Sequence, residues 1–310
     1  MARKLRLEYE GALYHIMSRG NQRADIFRTD ADRELFLKTL GQACEKTDWQ
    51  IHAWCLMSTH FHLVVETPRP NLVAGMKWLL GTYTNRFNRR HDLLGHLFSG
   101  RYKALFVDDS GSGYLKTVCD YVHLNPARAR LLANAEKLRA FRWSSYPEYL
   151  KAPGRRLPWL RVERLLGEHG IARDSAAGRR EFERRMELRR SQEDGQEFKP
   201  LLRGWCLGDK RFRKELLAQM NQKAGPEHYG EEIRESAEAK AERVVQEELR
   251  KLKWEEAELG ERRKGDPKKI RMALRLRRET TMTHAWIAER LHMGAKSHLT
   301  HLLYWHQRKK

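Results

Sequence analysis

Apolar positions along the first 125 residues switch between a period of two and a helical period, and the switches define the elements. ALYHIMSRG (12–20) mixes apolar and polar residues and ends in Arg-Gly-Asn, which predicts a first strand running into a loop. Leu35, Phe36, Leu40 and Ala43 then recur at helical spacing behind Asp30 and Asp32, either of which can cap that helix. IHAWCLM (51–57) and HFHLVVET (60–67) are two strands separated only by Ser58 and Thr59, and Pro68 and Pro70 close the second. NLVAGMKWLLGTYTNRFNRRH (71–91) is a long amphipathic helix starting at Asn71, followed by a turn and a strand from Tyr102 to Val107. GYLKTVCDYVHLN is a helix expected to end at Asn125, since proline at 126 disfavours helical geometry in the residue before it. The order is strand, helix, strand, strand, helix, strand, helix. A tight link joins antiparallel neighbours, so the pattern predicts an α+β fold with helices packed on a mainly antiparallel sheet.

WSSYPEYL (143–150) closes this unit, and APGRRLPW reads as a boundary. Residues 160–225 read as helical and very basic, as in AAGRREFERRMELRR and GDKRFRKELLAQM. Residues 231–264 read as one charged helix with a narrow apolar stripe, Ala237, Ala241, Val245, Leu249 and Leu252, which suits a packed connecting helix better than a short coiled coil. The last segment predicts a short helix over about 283–291, a turn at Met293 and Gly294, and a second helix from about 296. Ala285, Ile287, Ala288 and Leu291 face inward from the first, Leu299, Leu302 and Leu303 from the second. That is helix-turn-helix spacing, with Lys296, Ser297, His298 and Thr300 placed to meet a DNA groove and basic flanks at Arg275, Arg277, Arg278 and Lys309. An ordinary αα-hairpin has the same outline. The chain thus divides into 1–152, a basic helical region 153–264, and 265–310.

Charge narrows the partners. Of 310 residues, 61 are Lys or Arg against 41 Asp or Glu, a net charge of +20, which points to a polyanion. No apolar run approaches the ~20 residues that span a bilayer, so no membrane partner is expected. Glu8 and Glu10 interrupt any signal-peptide core. Cys44, Cys55, Cys119 and Cys206 are scattered, with no CxxC pairing, and suit a reducing cytosol. The expectation is a cytoplasmic nucleic-acid-binding protein.

The chemistry-bearing stretch is STHFHLVVETP (58–68). Strand alternation puts His60 and His62 on one face and Phe61, Leu63 and Val65 on the other. Two imidazoles about 7 Å apart along a strand can converge on one divalent metal; alternatively, among 14 histidines, one is a satisfied polar residue and the other an accident of composition. Tyr121 and Asn125 stand one turn apart at the edge of the stripe Leu115, Val118 and Val122, where they could overhang that face. Taken alone, Tyr121 reads as a packing residue with a satisfied hydroxyl. Arg86, Arg89, Arg90, Arg101 and Lys103 are the expected phosphate grip, with Tyr83 available to stack a base; Phe87 reads as core.

GALYHIMSRGN, STHFHLVVETP, GTYTNRF, GHLFSGRYKA, YVHLNPARARLL and WSSY, in this order, resemble the single-tyrosine HUH transposases, and within them the REP-associated tyrosine transposases of IS200-like type. The resemblance covers roughly residues 8–150. It implies a ferredoxin-like α+β nuclease that cuts single-stranded DNA beside REP-like hairpins, with Mg²⁺ or Mn²⁺ as cofactor. Matched motif to motif, it makes His60 and His62 metal ligands, Tyr121 the nucleophile, and Asn125 the polar residue that completes the metal shell. A helix-turn-helix, with duplex DNA as a second partner, is an accessory in some members. A monomer is expected. The reading from another class is a catalytically idle regulator that merely holds DNA hairpins.

Overall fold

The computed structural model describes residues 7–308 apart from 112, 134, 193–197, 199–200, 202–203 and 223–230, with main chain only at 221–222, 231–237 and 307–308. Its contacts cluster into two units divided near residue 225, residues 45–47 and 71–78 counting with the second. No helix is long and apolar enough to cross a membrane among the described residues.

The first unit is built on strands β1 (Ala12–Arg19), β2 (Gln50–Met57), β3 (His60–Thr67) and β4 (Lys103–Val107). Helix α1 (Asp30–Thr47) links β1 to β2, α2 (Leu72–His91) links β3 to β4, and α3 (Tyr114–Arg128) follows β4. The strand order is β2-β3-β1-β4 and each of these pairs is antiparallel. Each βαβ crossover therefore skips over a strand of the other, which is the ferredoxin-like α+β arrangement. The expected fold holds, including the two-residue link between β2 and β3.

Strand alternation decides what each face of the sheet meets. Phe61 points to the α1/α2 side, its ring 4.8 Å from Phe36 and 6.0 Å from Phe98. Phe27, Phe36, Phe61, Tyr83 and Phe87 are all essentially without solvent exposure there. Burying each such side chain stabilises the fold by roughly 1.5–3 kcal/mol. Helix α3 packs on the other face, against β2, β3 and β4. Short helices α4 (Tyr146–Leu150) and α5 (Glu163–Glu168) and the longer α6 (Ala176–Gln192) continue this side, with α5 and α6 packed on α3.

Three local expectations are corrected. Thr29, not Asp30 or Asp32, is the N-cap of α1, and Asp32 is its capping-box partner, accepting from the Thr29 amide at 2.9 Å. Helix α3 does not end at Asn125 but runs to Arg128 with Pro126 inside it. A proline in the last turn removes only one hydrogen bond, and the amides of Ala129 and Leu131 still close onto the carbonyls of Asn125 and Pro126. The basic stretch 160–225 is not wholly helical: Cys206–Leu207 forms β5, parallel to β4 at the sheet edge, before helix α7 (Lys210–Gln222). The Phe106 amide donates to the Trp205 carbonyl and the Asp108 amide to Leu207. Two residues are too few for a periodic signal, whereas an unpaired edge strand is a standing template.

The second unit contains α8 (Glu231–Leu252), α9 (Glu258–Glu261), α10 (Pro267–Glu279), α11 (His284–Arg290) and α12 (Lys296–Arg308). Here the single helix expected over 231–264 is corrected. Lys253 adopts a left-handed φ of 55° and the Trp254 amide returns to the Leu249 carbonyl, ending α8. Trp254 is thereby buried under the Arg262 guanidinium, 3.9 Å from its ring centroid. Ala241, Val245 and Leu249 of the stripe are buried and Leu252 packs partly against them, while the Ala237 side chain lies outside the described residues. Ile287, Ala288, Leu291, Leu299 and Leu303 join the same core and Leu302 packs partly on it, but Ala285, expected to face inward, is exposed.

Candidate active site

Register carries His62 to the centre of the α3 side of the sheet. It pairs with Met17 on β1 and Cys55 on β2, while His60 pairs with Arg19 at the open end of β3. Partners across antiparallel strands share a face and faces alternate, so His15, two residues before Met17 on β1, lies on the same side. The His60 and His62 rings are 5.2 Å apart between centroids, at 78°. His62 is buried, and each of its nitrogens meets one neighbour: Nδ1 lies 2.9 Å from His15 Nε2, and Nε2 lies 3.3 Å from Asn125 Nδ2. His60 is half-buried, with Nδ1 3.1 Å from the Thr59 hydroxyl.

Helix α3 supplies the rest. The Tyr121 ring stands edge-on to two imidazoles, 5.7 Å from His62 and 5.5 Å from His15. The Arg128 guanidinium covers the ring face at 3.9 Å and also donates to the Tyr121 carbonyl. Phe198 lies 5.4 Å from the same ring, leaving Tyr121 7% exposed. Residues 121, 125 and 128 share one face of the helix because they are one and two turns apart. The separation of about sixty residues between His62 and Tyr121 in the chain closes to ring contact in the fold.

Burial keeps the imidazoles uncharged. It pushes His60 down to about 4, helped by Arg19, and His15 down to about 4, helped by Arg128. Burial likewise lowers His62 well below the usual histidine range, with His15, His60, Arg128 and Arg19 adding to it. Neutral imidazole is the metal-ligating form. The donor chemistry fits a divalent ion: the imidazoles of His60 and His62, with the side-chain amide of Asn125 beside them. Among the described residues no group of three His, Cys, Asp or Glu side chains is arranged to hold a metal. Two imidazoles and one neutral amide make an open, weak set rather than a closed structural one, and substrate oxygens would complete it.

The expected DNA contacts fare unevenly. Tyr83 is corrected: it is buried in the α1/α2 core, touching Phe27, Phe36 and Phe98, and its hydroxyl donates to the Ile26 carbonyl at 2.6 Å. Its ring is therefore core and not a stacking platform. Arg86 is also engaged there, donating to Thr39 Oγ1 at 2.6 Å and to Gln42 Oε1 at 2.8 Å. With exposed Arg89 and Arg90 it lines a cleft of about 460 Å³ between α1 and α2, on the side of the sheet away from His62. Lys103, by contrast, pairs with Met17 and so stands in the same cross-strand row as His62; it and Arg101 are exposed. In the second unit Lys296, Ser297, His298 and Thr300 are all exposed on α12. His298 Nδ1 lies 2.9 Å from the Met293 carbonyl and the Thr300 hydroxyl donates to the Lys296 carbonyl, so two of the four side chains are partly committed to their own backbone.

Three site residues were not singled out by sequence reasoning: His15, Arg128 and Arg19. His15 carried a signal, a polar residue between Leu13 and Met17 on one face of its strand. Arg128 lies two turns beyond Tyr121 on its helix, a spacing readable without a structure. Arg19 required the register.

The family model described as "Transposase IS200 like" matches residues 8–125. No curated protein sequence matches the chain at a significant level. Among solved structures, a REP-associated tyrosine transposase bound to a REP hairpin is similar at 13% identity and a TM-score of 0.39, over 47% of this chain and 84% of that one. The matched residues hold the four antiparallel strands, the paired histidines, Tyr121 and Asn125. Over residues 8–125 the chain is similar to the IS200-like transposases.

Proposed function

We propose that the chain is a metal-dependent DNA transposase that cleaves and rejoins single-stranded DNA beside hairpins through a 5′-phosphotyrosine on Tyr121. The observation that carries this is the meeting of Tyr121, His62 and Asn125 at ring and hydrogen-bond distance, from elements about sixty residues apart. His60, His62 and Asn125 would hold Mg²⁺ or Mn²⁺, which when bound supplies Lewis acidity at the scissile phosphate. Tyr121 Oη attacks phosphorus in line, losing its proton as the O–P bond forms. The bond to the 3′ oxygen breaks, and that oxygen takes up a proton. Arg128, cationic over the phenol, favours the developing phenolate. Covalent capture conserves the phosphodiester for transfer to another 3′-hydroxyl, whereas hydrolysis would discard it. Lys103, on the site face, and the exposed Arg101 supply phosphate contacts. The exposed row Lys296, Ser297, His298 and Thr300 on α12 contacts duplex DNA as the second helix of a helix-turn-helix.

A second reading draws on the burial of Tyr121 behind Phe198: a hairpin-binding regulator whose tyrosine no longer reaches phosphate. One experiment separates them. End-labelled single-stranded hairpins with Mn²⁺ are expected to give a covalent protein–DNA adduct with the wild type and none with Tyr121→Phe. Activity with Mn²⁺ should at least equal that with Mg²⁺. Hairpin binding without any adduct in the wild type, or a tightly held zinc that supports no cleavage, would overturn the enzymatic reading.

A further inference from the structure

The paired histidines are not the only imidazoles at this site, and the third has a different place. His15 comes from β1, is buried, and lies parallel to the His62 ring, 5.2 Å between centroids and inclined by 13°. Its Nε2 is hydrogen-bonded to His62 Nδ1 at 2.9 Å. That geometry keeps His15 off the nitrogen of His62 that faces Asn125. It also gives His62 Nδ1 a partner that can accept its hydrogen.

The argument is one of donors and acceptors along the line Asn125, His62, His15. An amide nitrogen donates and has no lone pair to offer. With Asn125 Nδ2 3.3 Å from His62 Nε2, that ring nitrogen is the acceptor. A neutral imidazole with an accepting Nε2 carries its hydrogen on Nδ1. His62 Nδ1–H therefore donates to His15 Nε2, and His15 carries its own hydrogen on Nδ1. Free imidazole side chains have no partner to fix this choice. In the opposite tautomer His62 would turn an N–H toward Asn125 and have no lone pair there for a cation.

We propose that His15 is a positioning residue: by accepting the Nδ1 hydrogen of His62 it holds that ring in the tautomer whose Nε2 lone pair faces Asn125. Its value for metal binding rests on the functional reading above, while the tautomer itself does not. A partner that orients a ligating imidazole and raises its basicity is worth about 10–100-fold in metal affinity. A residue that merely filled space between β1 and α3 would set neither the tautomer nor the affinity.

The test uses the full chain with its histidines labelled with ¹⁵N. Long-range proton–nitrogen correlation spectra of the metal-free protein are expected to show His62 protonated at Nδ1. His15→Phe, similar in volume but unable to accept, should move His62 toward protonation at Nε2 and weaken Mn²⁺ binding, read by electron paramagnetic resonance, about 10–100-fold. His15→Gln, whose amide oxygen can accept the same hydrogen, should restore both. Wild-type His62 protonated at Nε2 overturns the proposal, even if the Phe variant proves too unstable to study. So does a folded His15→Phe that keeps the Nδ1 tautomer. A wild type with the Nδ1 tautomer and no Mn²⁺ binding supports the role of His15 and overturns the metal-dependent reading alone.

Discussion

The two faces of the sheet share their strands and little else. On β3, Phe61, Leu63 and Val65 point to α1 and α2, where Phe61 meets the rings of Phe36 and Phe98, and Tyr83 packs on both of those. The alternate residues His60, His62, Val64 and Glu66 point to the α3 side, where His62 meets His15, Asn125 and Tyr121 beside its cross-strand partners Met17 and Cys55, and where His52 is hydrogen-bonded to Glu66. Two tyrosines mark the contrast. Tyr83 hands its hydroxyl to a backbone carbonyl and spends its ring on packing, whereas Tyr121 has its ring under a guanidinium and beside two imidazoles. The lesson is that one apolar face stabilises a strand well enough for the other to carry polar groups whose burial is unfavourable. Tyr83 and Tyr121 differ in environment, not in residue type, so the environment assigns their roles.

Substitutions on neighbouring residues can break this division. Phe61→Ala should lose about 3–5 kcal/mol of stability, the usual cost of emptying an aromatic core site. His62→Ala should leave the fold in place and reduce Mn²⁺-dependent adduct formation at least about 100-fold, as expected when a ligand that polarises the reacting phosphate is removed. Urea denaturation and gel assays of both variants decide it; equal destabilisation by the two would mean that the α3 face is structural too. Lys103→Ala should weaken hairpin binding and lower the slope of log affinity against log salt by about one. The same change at Arg86, which is tied to Thr39 and Gln42, should lower stability and leave that slope nearly unchanged. Tyr83→Phe should cost only about 1 kcal/mol, the net worth of one buried hydrogen bond, with the adduct unaffected.

A further expected effect is on pH dependence. His123, on α3 with its ring against Tyr149 of α4 and Phe182 of α6, is buried with Nε2 2.8 Å from the Ser145 hydroxyl, and burial, aided by His169, pushes it down to about 3. The folded state thus refuses a proton that the unfolded chain accepts near the ordinary value of about 6.5. Its contribution is complete above that pH and is lost as pH falls from there toward 3. Denaturation midpoints at pH 7 and pH 5 should differ less in His123→Gln than in the wild type.

How much of this was legible follows from the range of each signal. Element order, the two-residue link at Ser58 and Thr59, the opposite faces of Phe61 and His62, and the shared face of Tyr121 and Asn125 are local consequences of backbone periods. The sequence by itself determined them. It also presented the motifs that single out His60, His62, Tyr121 and Asn125. Only the tertiary structure decided that Tyr83 is core, that Arg86 is a clamp between two helices, and that a two-residue strand extends the sheet. The left-handed Lys253 that ends α8 has no glycine or proline to announce it, because the burial of Trp254 is what favours that turn. His15 belongs to the same class. Periodicity places it on a strand, but what it touches depends on register between strands about fifty residues apart in the chain, and a register is set by the packing of the whole sheet.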